Sequence, residues 1–139
     1  VVIMRMILVP LAAAALGAGA VAIASSPAQT DRAATDQAEF AKTVEGLTPG
    51  KPVDCIDTRF NQASLKAIGP RLIYRVSPKL VYVNETAGGC EGVARGDALV
   101  TRQYSTQLCR GDIARTVDMT ARIDTGSCSL GHFVPYQAR

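Results

Sequence analysis

The chain has 139 residues, a formal net charge of +3, an aromatic content of 5% and no tryptophan. Its basic residues are interspersed with acidic ones and form no run, and few aromatic rings are present on which bases could stack. The composition therefore argues against a nucleic-acid partner and against a polybasic membrane-binding surface.

The first 24 residues have the parts of an export signal. Arg5 gives a short positive start, residues 7–24 form an unbroken apolar run, and small residues at 22 and 24 fit the pattern that signal peptidase accepts. We predict cleavage after Ala24, with Ala28 as an alternative site. The competing interpretation is a retained membrane-spanning helix, but the run has the minimum spanning length and contains two glycines.

Cleavage would leave a one-domain protein in the periplasm or outside the cell. A lipid anchor would need a cysteine directly after the apolar run, and the first cysteine is Cys55. We therefore expect no stable membrane anchor once the signal is removed.

A polar lead and one helix are predicted to open the mature chain. Residues 25–35 are small and polar, and we expect them to be flexible. Asp36 followed by Glu39 is typical of a helix N-cap, and Gly46 with Thr48–Gly50 would end the helix. We predict an amphipathic helix over 36–46, which is short enough to need docking. Its apolar stripe would consist of Phe40, Val44 and Leu47.

Residues 36–139 are predicted to form a single disulfide-stapled β-rich domain. Ser77-Pro78 is a turn signal between two β-branched segments and predicts a hairpin, across which Tyr74 and Tyr82 should face each other or share the edge of the core. The strand candidates are 71–76, 79–84, 97–104, 112–119 and 131–136. We therefore predict a mainly β fold, with a small antiparallel sheet, curled or barrel-like, and one short N-terminal amphipathic helix.

The triplet Arg-Gly-Asp occurs twice, at 95–97 and at 110–112. In both copies the aspartate precedes an apolar or β-branched run. Glycine tolerates turn geometry, and aspartate can bond nearby backbone at the start of a strand, so we interpret each triplet as a turn that leads into a strand. The alternative is an adhesion signal, but a motif this short has a high false-positive risk.

The four cysteines are Cys55, Cys90, Cys109 and Cys128. An even number of cysteines in an exported chain predicts disulfides. Zinc sites prefer paired ligands two to four residues apart, and these cysteines are far more widely spaced, so we predict no metal site. Four cysteines allow three pairings. We predict Cys55–Cys128 and Cys90–Cys109, because the first of these would tie the first and last β segments together.

No motif predicts a catalytic or cofactor-binding residue. His132 is the single histidine, and as a general base it would need a partner such as Ser127 or Ser129. The surrounding residues do not have the spacing of a nucleophile elbow. Asp54 and Asp57 flank Cys55, and we interpret them as part of a solvated turn rather than as a catalytic dyad.

Four segments together resemble a family of small exported proteins of Gram-negative bacteria that is catalogued as a domain of unknown function. They are GKPVDCID at 50–57, KLVYVNE with a later GC at 79–90, LCRGDI at 108–113 and GSCSLGHFVPY at 126–136. In that family the second triplet belongs to a recurring LC-x-G-D element, which implies a structural role for Gly111 and Asp112. The resemblance implies no activity, ligand or catalytic residue.

By elimination, we expect an exported, non-catalytic domain without a cofactor that binds a protein or a cell-envelope component. One alternative is an inhibitor of an exported enzyme such as a lysozyme or a protease, because a stapled β domain can present a rigid loop. The other alternative is a small hydrolase that uses His132.

Overall fold

The computed structural model describes residues 26–58 and 63–139, so the predicted signal peptide at 1–24 lies outside the described residues. The elements are one α-helix, α1 (Pro27–Thr43), a 3-10 helix (Glu91–Arg95) and the strands β1 (Thr48–Pro49), β2 (Cys55–Asp57), β3 (Ser64–Ile68), β4 (Arg71–Ser77), β5 (Leu80–Glu85), β6 (Ala98–Thr101), β7 (Gln107–Cys109), β8 (Ile113–Asp118), β9 (Ile123–Ser129) and β10 (Phe133–Gln137). The predicted fold class is confirmed: the chain is mainly β and antiparallel with one N-terminal α-helix, and its sheets do not close into a barrel. Within the described ranges, no helix is long and apolar enough to cross a membrane.

Helix α1 begins at Pro27 rather than at the predicted Asp36. Proline at the first helical position is pre-organised for a helix, and the Ser26 N–H donates to the Gln29 side chain at 3.3 Å. The segment predicted to be flexible is therefore mostly helical. The predicted start is wrong, and Asp36 lies well inside the helix. Ser26-Pro27, which signals the start of a helix, was interpreted as part of a polar lead.

The residues of the predicted apolar stripe pack on one face of the largest sheet, although only Phe40 lies in α1, and Val44 and Leu47 follow its end. Phe40, Val44 and Leu47 cover a cluster of buried side chains that consists of Ile68, Ile73, Val81 and Val83. The ring of Phe40 meets Tyr136 edge-on with centroids 5.9 Å apart, and the Arg71 guanidinium lies 4.5 Å from the Phe40 centroid. Docking on this face gives a short helix the tertiary contacts that it lacks in isolation.

The largest sheet has the strand order β1-β10-β5-β4-β3. Its β4–β5 hairpin turns at Ser77-Pro78 and sets Tyr74 opposite Tyr82, so both parts of the hairpin prediction are confirmed. The sheet face that does not contact α1 packs against a second layer, made of the pair β2–β7 and the three-stranded sheet β6-β8-β9. The main core lies between these layers, and its buried members include Ile56, Leu72, Leu108, Ala114, Leu130 and Phe133.

Both Arg-Gly-Asp triplets form turns that lead into strands, as predicted. Gly96 has a φ of +100° and Gly111 a φ of +88°, values that glycine adopts without strain. The Asp112 carboxylate accepts the backbone N–H of Cys109 at 2.8 Å, directly before β8. The Asp97 carboxylate, before β6, instead accepts the Thr125 hydroxyl at 2.6 Å. The Asp112 carboxylate thus bonds within its own turn, whereas the Asp97 carboxylate links its turn to β9.

We expect Asp112→Ala to lower the free energy of unfolding by about 1–2 kcal/mol, because the Cys109 N–H loses a charge-assisted partner in a half-buried turn. Urea denaturation would measure the loss. Asp124→Ala is the matched control, since Asp124 only pairs with Arg115 on the exposed surface and should cost at most about 1 kcal/mol. Equal losses in the two variants would contradict the structural role of Asp112.

Candidate functional site

Two disulfides hold the loops of the second layer. Cys55 lies opposite Cys109 across β2 and β7 with Cα atoms 4.0 Å apart, and Cys90 bonds Cys128 on β9 with Cα atoms 5.5 Å apart. The prediction of two disulfides is confirmed. The predicted pairing, Cys55–Cys128 and Cys90–Cys109, is wrong.

The pairing prediction assumed that the last strand needs a covalent tie to the first β segment. Strand β10 instead lies between β1 and β5 and is hydrogen-bonded on both sides, so no free edge remains there to protect. The segment around Cys55 pairs with β7 through its backbone. That register places Cys109, and not Cys128, beside Cys55.

Three polar side chains that are distant in the sequence meet at the surface and form what we call the histidine cluster: Asp54, Arg110 and His132. The His132 Nδ1 lies 3.0 Å from Asp54 Oδ1, and an Arg110 guanidinium nitrogen lies 3.3 Å from His132 Nε2. Arg110 Nε is also 3.5 Å from the same Asp54 oxygen. All three side chains are at least half exposed, so solvent weakens each contact. Asp54 is thus part of an ion-pair cluster rather than only of a solvated turn.

Backbone hydrogen bonds hold the three loops of the histidine cluster in register. The Arg110 N–H donates to the Asp54 carbonyl at 2.7 Å, and Val53 forms an isolated β-bridge with Phe133. The fully buried Asn84 amide both donates to the Gly131 carbonyl at 2.8 Å and accepts the Gly131 N–H at 2.9 Å. Asn84 therefore fixes the turn that carries His132.

The geometry of the histidine cluster bears on the hydrolase alternative. The contacts fit the tautomer in which Nδ1–H donates to Asp54, because Arg110 can only donate to Nε2. The lone pair that would take a proton from a nucleophile is then occupied by Arg110. Ser129 lines the same open groove as His132, whereas Ser127 does not line it. In this arrangement the ion pair is the one between Arg110 and Asp54, and the neutral imidazole lies between them.

A second surface feature lies on the outer face of the β6-β8-β9 sheet and the adjoining β6–β7 loop, and we call it the outer patch. It consists of Val100, Ile113 and Arg115 on the strands and Arg102 and Tyr104 in the loop. The side chains line a shallow concavity. Tyr104 is 94% exposed, Ile113 57% and Val100 42%. Arg102 and Arg115 are exposed beside them. Large apolar side chains that are exposed together, rather than singly, are typical of an interaction surface.

The sequence predicts strand β8 but not its orientation. Ala114 and Thr116 point into the core and are at most 1% exposed, while the larger Ile113 faces solvent. The inner side is narrow because the Cys90–Cys128 disulfide lies against it, with the Cys90 sulfur 3.9 Å from the Ala114 carbonyl oxygen. The sequence signal for this orientation was the two-residue alternation in the segment Ile-Ala-Arg-Thr-Val at 113–117. A hydrophobicity-based interpretation would orient the strand in the opposite way.

The described residues contain no cluster of three or more His, Cys, Asp or Glu side chains that could hold a metal ion. A scan against protein-family models finds no match for the chain, and neither a curated protein nor a solved structure matches it. The resemblance to a family of small exported proteins therefore stays a prediction.

Proposed function

We propose that this chain is an exported, non-catalytic binding domain that recognises another protein through the outer patch. The observation that carries the proposal is the exposure of Val100 and Ile113 on the outer sheet face beside Tyr104 in the adjoining β6–β7 loop. Two disulfides support a location in an oxidising compartment, together with the predicted signal peptide. The domain would also belong to the family that it resembles.

The chemistry of the outer patch restricts the partner. Tyrosine is enriched among the residues that dominate binding energy, because its ring buries a large area at a small cost in conformational entropy. Arg102 and Arg115 border the apolar residues, and Arg115 is already paired with Asp124. We therefore expect the partner to present an apolar pocket for Tyr104 with acidic residues at its rim.

The loop that carries Tyr104 also favours a narrower version of this function, inhibition of an exported enzyme. The loop joins β6 to β7, and β7 is paired with β2 and cross-linked to it at its far end by the Cys55–Cys109 disulfide. Thr58 binds the Thr106 carbonyl with both its N–H, at 2.9 Å, and its hydroxyl, at 2.8 Å. A loop held in this way loses little entropy on binding. Exported lysozymes and proteases are the enzymes to test.

The test is a pull-down from an envelope extract with the tagged protein, followed by affinity measurement on each captured protein. We expect Tyr104→Ala to weaken binding at least about tenfold, as removal of a binding hot spot does. Met119→Ala is the matched control, because Met119 is 66% exposed but lies outside the outer patch. A partner that binds the Tyr104→Ala variant as tightly as the wild type would overturn the assignment of this surface.

A further inference from the structure

The Cys55–Cys109 disulfide lies on the solvent side of the β2–β7 pair. The register of the two strands places Ile56 opposite Leu108, and both side chains point into the main core, where they are 5% and 3% exposed. The next pair along the strands is Cys55 opposite Cys109. Because successive side chains of a strand point to opposite faces, these cysteines point away from the core, and both are partly exposed.

The Cys90–Cys128 disulfide provides a contrast within the same molecule. Its cysteines are 2% and 5% exposed and belong to the main core. The Cys90 sulfur lies 3.9 Å from the carbonyl oxygen of Ala114, a residue of β8. A thiolate must reach a sulfur atom to open a disulfide, so this bridge can react only after the layers around it have opened.

Hydrogen bonds at both ends of the β2–β7 pair would keep it assembled with its bridge open. At the disulfide end, the Arg110 N–H donates to the Asp54 carbonyl at 2.7 Å, and the two side chains are ion-paired. At the other end, the Thr58 N–H and hydroxyl both donate to the Thr106 carbonyl. The two thiols would therefore stay opposite each other, in a position from which the bridge can form again.

We propose that the Cys55–Cys109 bridge exchanges with a dithiol protein of the same compartment. The partner's first thiolate attacks one sulfur of the bridge and forms a mixed disulfide, and the other sulfur leaves as a thiolate that takes up a proton. The partner's second thiolate then attacks the mixed disulfide and releases the remaining cysteine. The domain gains two electrons and two protons, the partner becomes a disulfide, and transfer in the reverse direction restores the bridge.

This exchange does not depend on the proposed protein-binding function. Neither Cys55 nor Cys109 belongs to the outer patch, and the opening of their bridge can be measured without a partner for that surface. Loss of binding at the outer patch would leave this inference untouched, and the reverse also holds.

The test mixes the folded protein with reduced thioredoxin as the dithiol protein, alkylates free thiols with iodoacetamide at successive times and maps the alkylated cysteines by mass spectrometry. We expect the Cys55–Cys109 bridge to open at least about tenfold faster than the Cys90–Cys128 bridge, because the buried bridge reacts only from an opened form. Circular dichroism should show a folded chain while the first bridge opens. With dithiothreitol in denaturing urea, the two bridges should open at similar rates.

A thioredoxin variant whose second active-site cysteine is serine should stop at the mixed disulfide. We expect it to be trapped on the wild-type protein through Cys55 or Cys109, and C55A/C109A is the matched control, which lacks the bridge. The proposal is overturned if the Cys90–Cys128 bridge opens first or at the same rate in the folded protein. It is also overturned if the Cys55–Cys109 bridge opens only as the chain unfolds, or if no mixed disulfide forms at that bridge.

Discussion

Removing the Cys90–Cys128 disulfide with the double substitution C90A/C128A is expected to lower the free energy of unfolding by about 4 kcal/mol or more. The bridge closes a loop with a sequence separation of 38, and loop closure alone accounts for about 4 kcal/mol. Both cysteines are also core residues, 2% and 5% exposed, so truncation leaves a cavity that adds to the cost. For a small domain this is a large part of the total stability.

The other disulfide provides the comparison. The Cys55–Cys109 bridge has a sequence separation of 54, so loop closure predicts a similar loss of about 4 kcal/mol for C55A/C109A. These cysteines are only partly buried, and little cavity cost is added. Urea denaturation under non-reducing conditions should therefore rank C90A/C128A as the less stable variant. The reverse order would show that burial of Cys90 and Cys128 contributes nothing beyond the cross-link.

Gly89→Ala is expected to lower the free energy of unfolding by about 3 kcal/mol or more. Gly89 has a φ of +103°, which strains any residue with a side chain. A Cβ at this position would also collide with the carbonyl oxygen of Ser127, which belongs to the backbone of β9 and cannot turn away. The residues around Gly89 pack tightly against β9, since a Cβ on Gly126 would in turn meet the Gly89 carbonyl.

Gly96→Ala separates strain from collision. Gly96 has a nearly equal φ of +100°, but a Cβ there meets nothing within 4 Å. We expect a loss of only about 1–2 kcal/mol, from the backbone conformation alone. Thermal and urea unfolding of both variants would give the difference. Equal losses would mean that the chain around Gly89 can move off β9 without cost.

Local features of the fold could be predicted from the sequence because neighbouring residues determine them. The Ser77-Pro78 turn with its facing tyrosines, the apolar residues Phe40, Val44 and Leu47 at and after the end of α1, and the glycine turns of both Arg-Gly-Asp triplets each depend on a few adjacent residues. The start of α1 is also local, and the Ser26-Pro27 signal for it was present in the sequence.

Other elements could not be predicted because distant segments form them. Strand β9, with the sequence IDTGSCS, has almost no apolar pattern, and only its pairing with β8 makes it a strand. The same holds for the short β2 and β7, which stabilise each other. The histidine cluster joins residues 54, 110 and 132 through the backbone pairing of three loops.

The sequence by itself determined the fold class, the presence of two disulfides and the turn role of both triplets. Composition and the pattern of neighbouring residues determine these properties. The turns in particular depend only on the backbone conformation of a few adjacent residues. Only the tertiary structure decided the disulfide pairing, the partial exposure of the Cys55–Cys109 bridge and the outward orientation of Ile113. Each depends on which strands pair and on how the two layers pack. Burial of apolar surface across the whole core determines both.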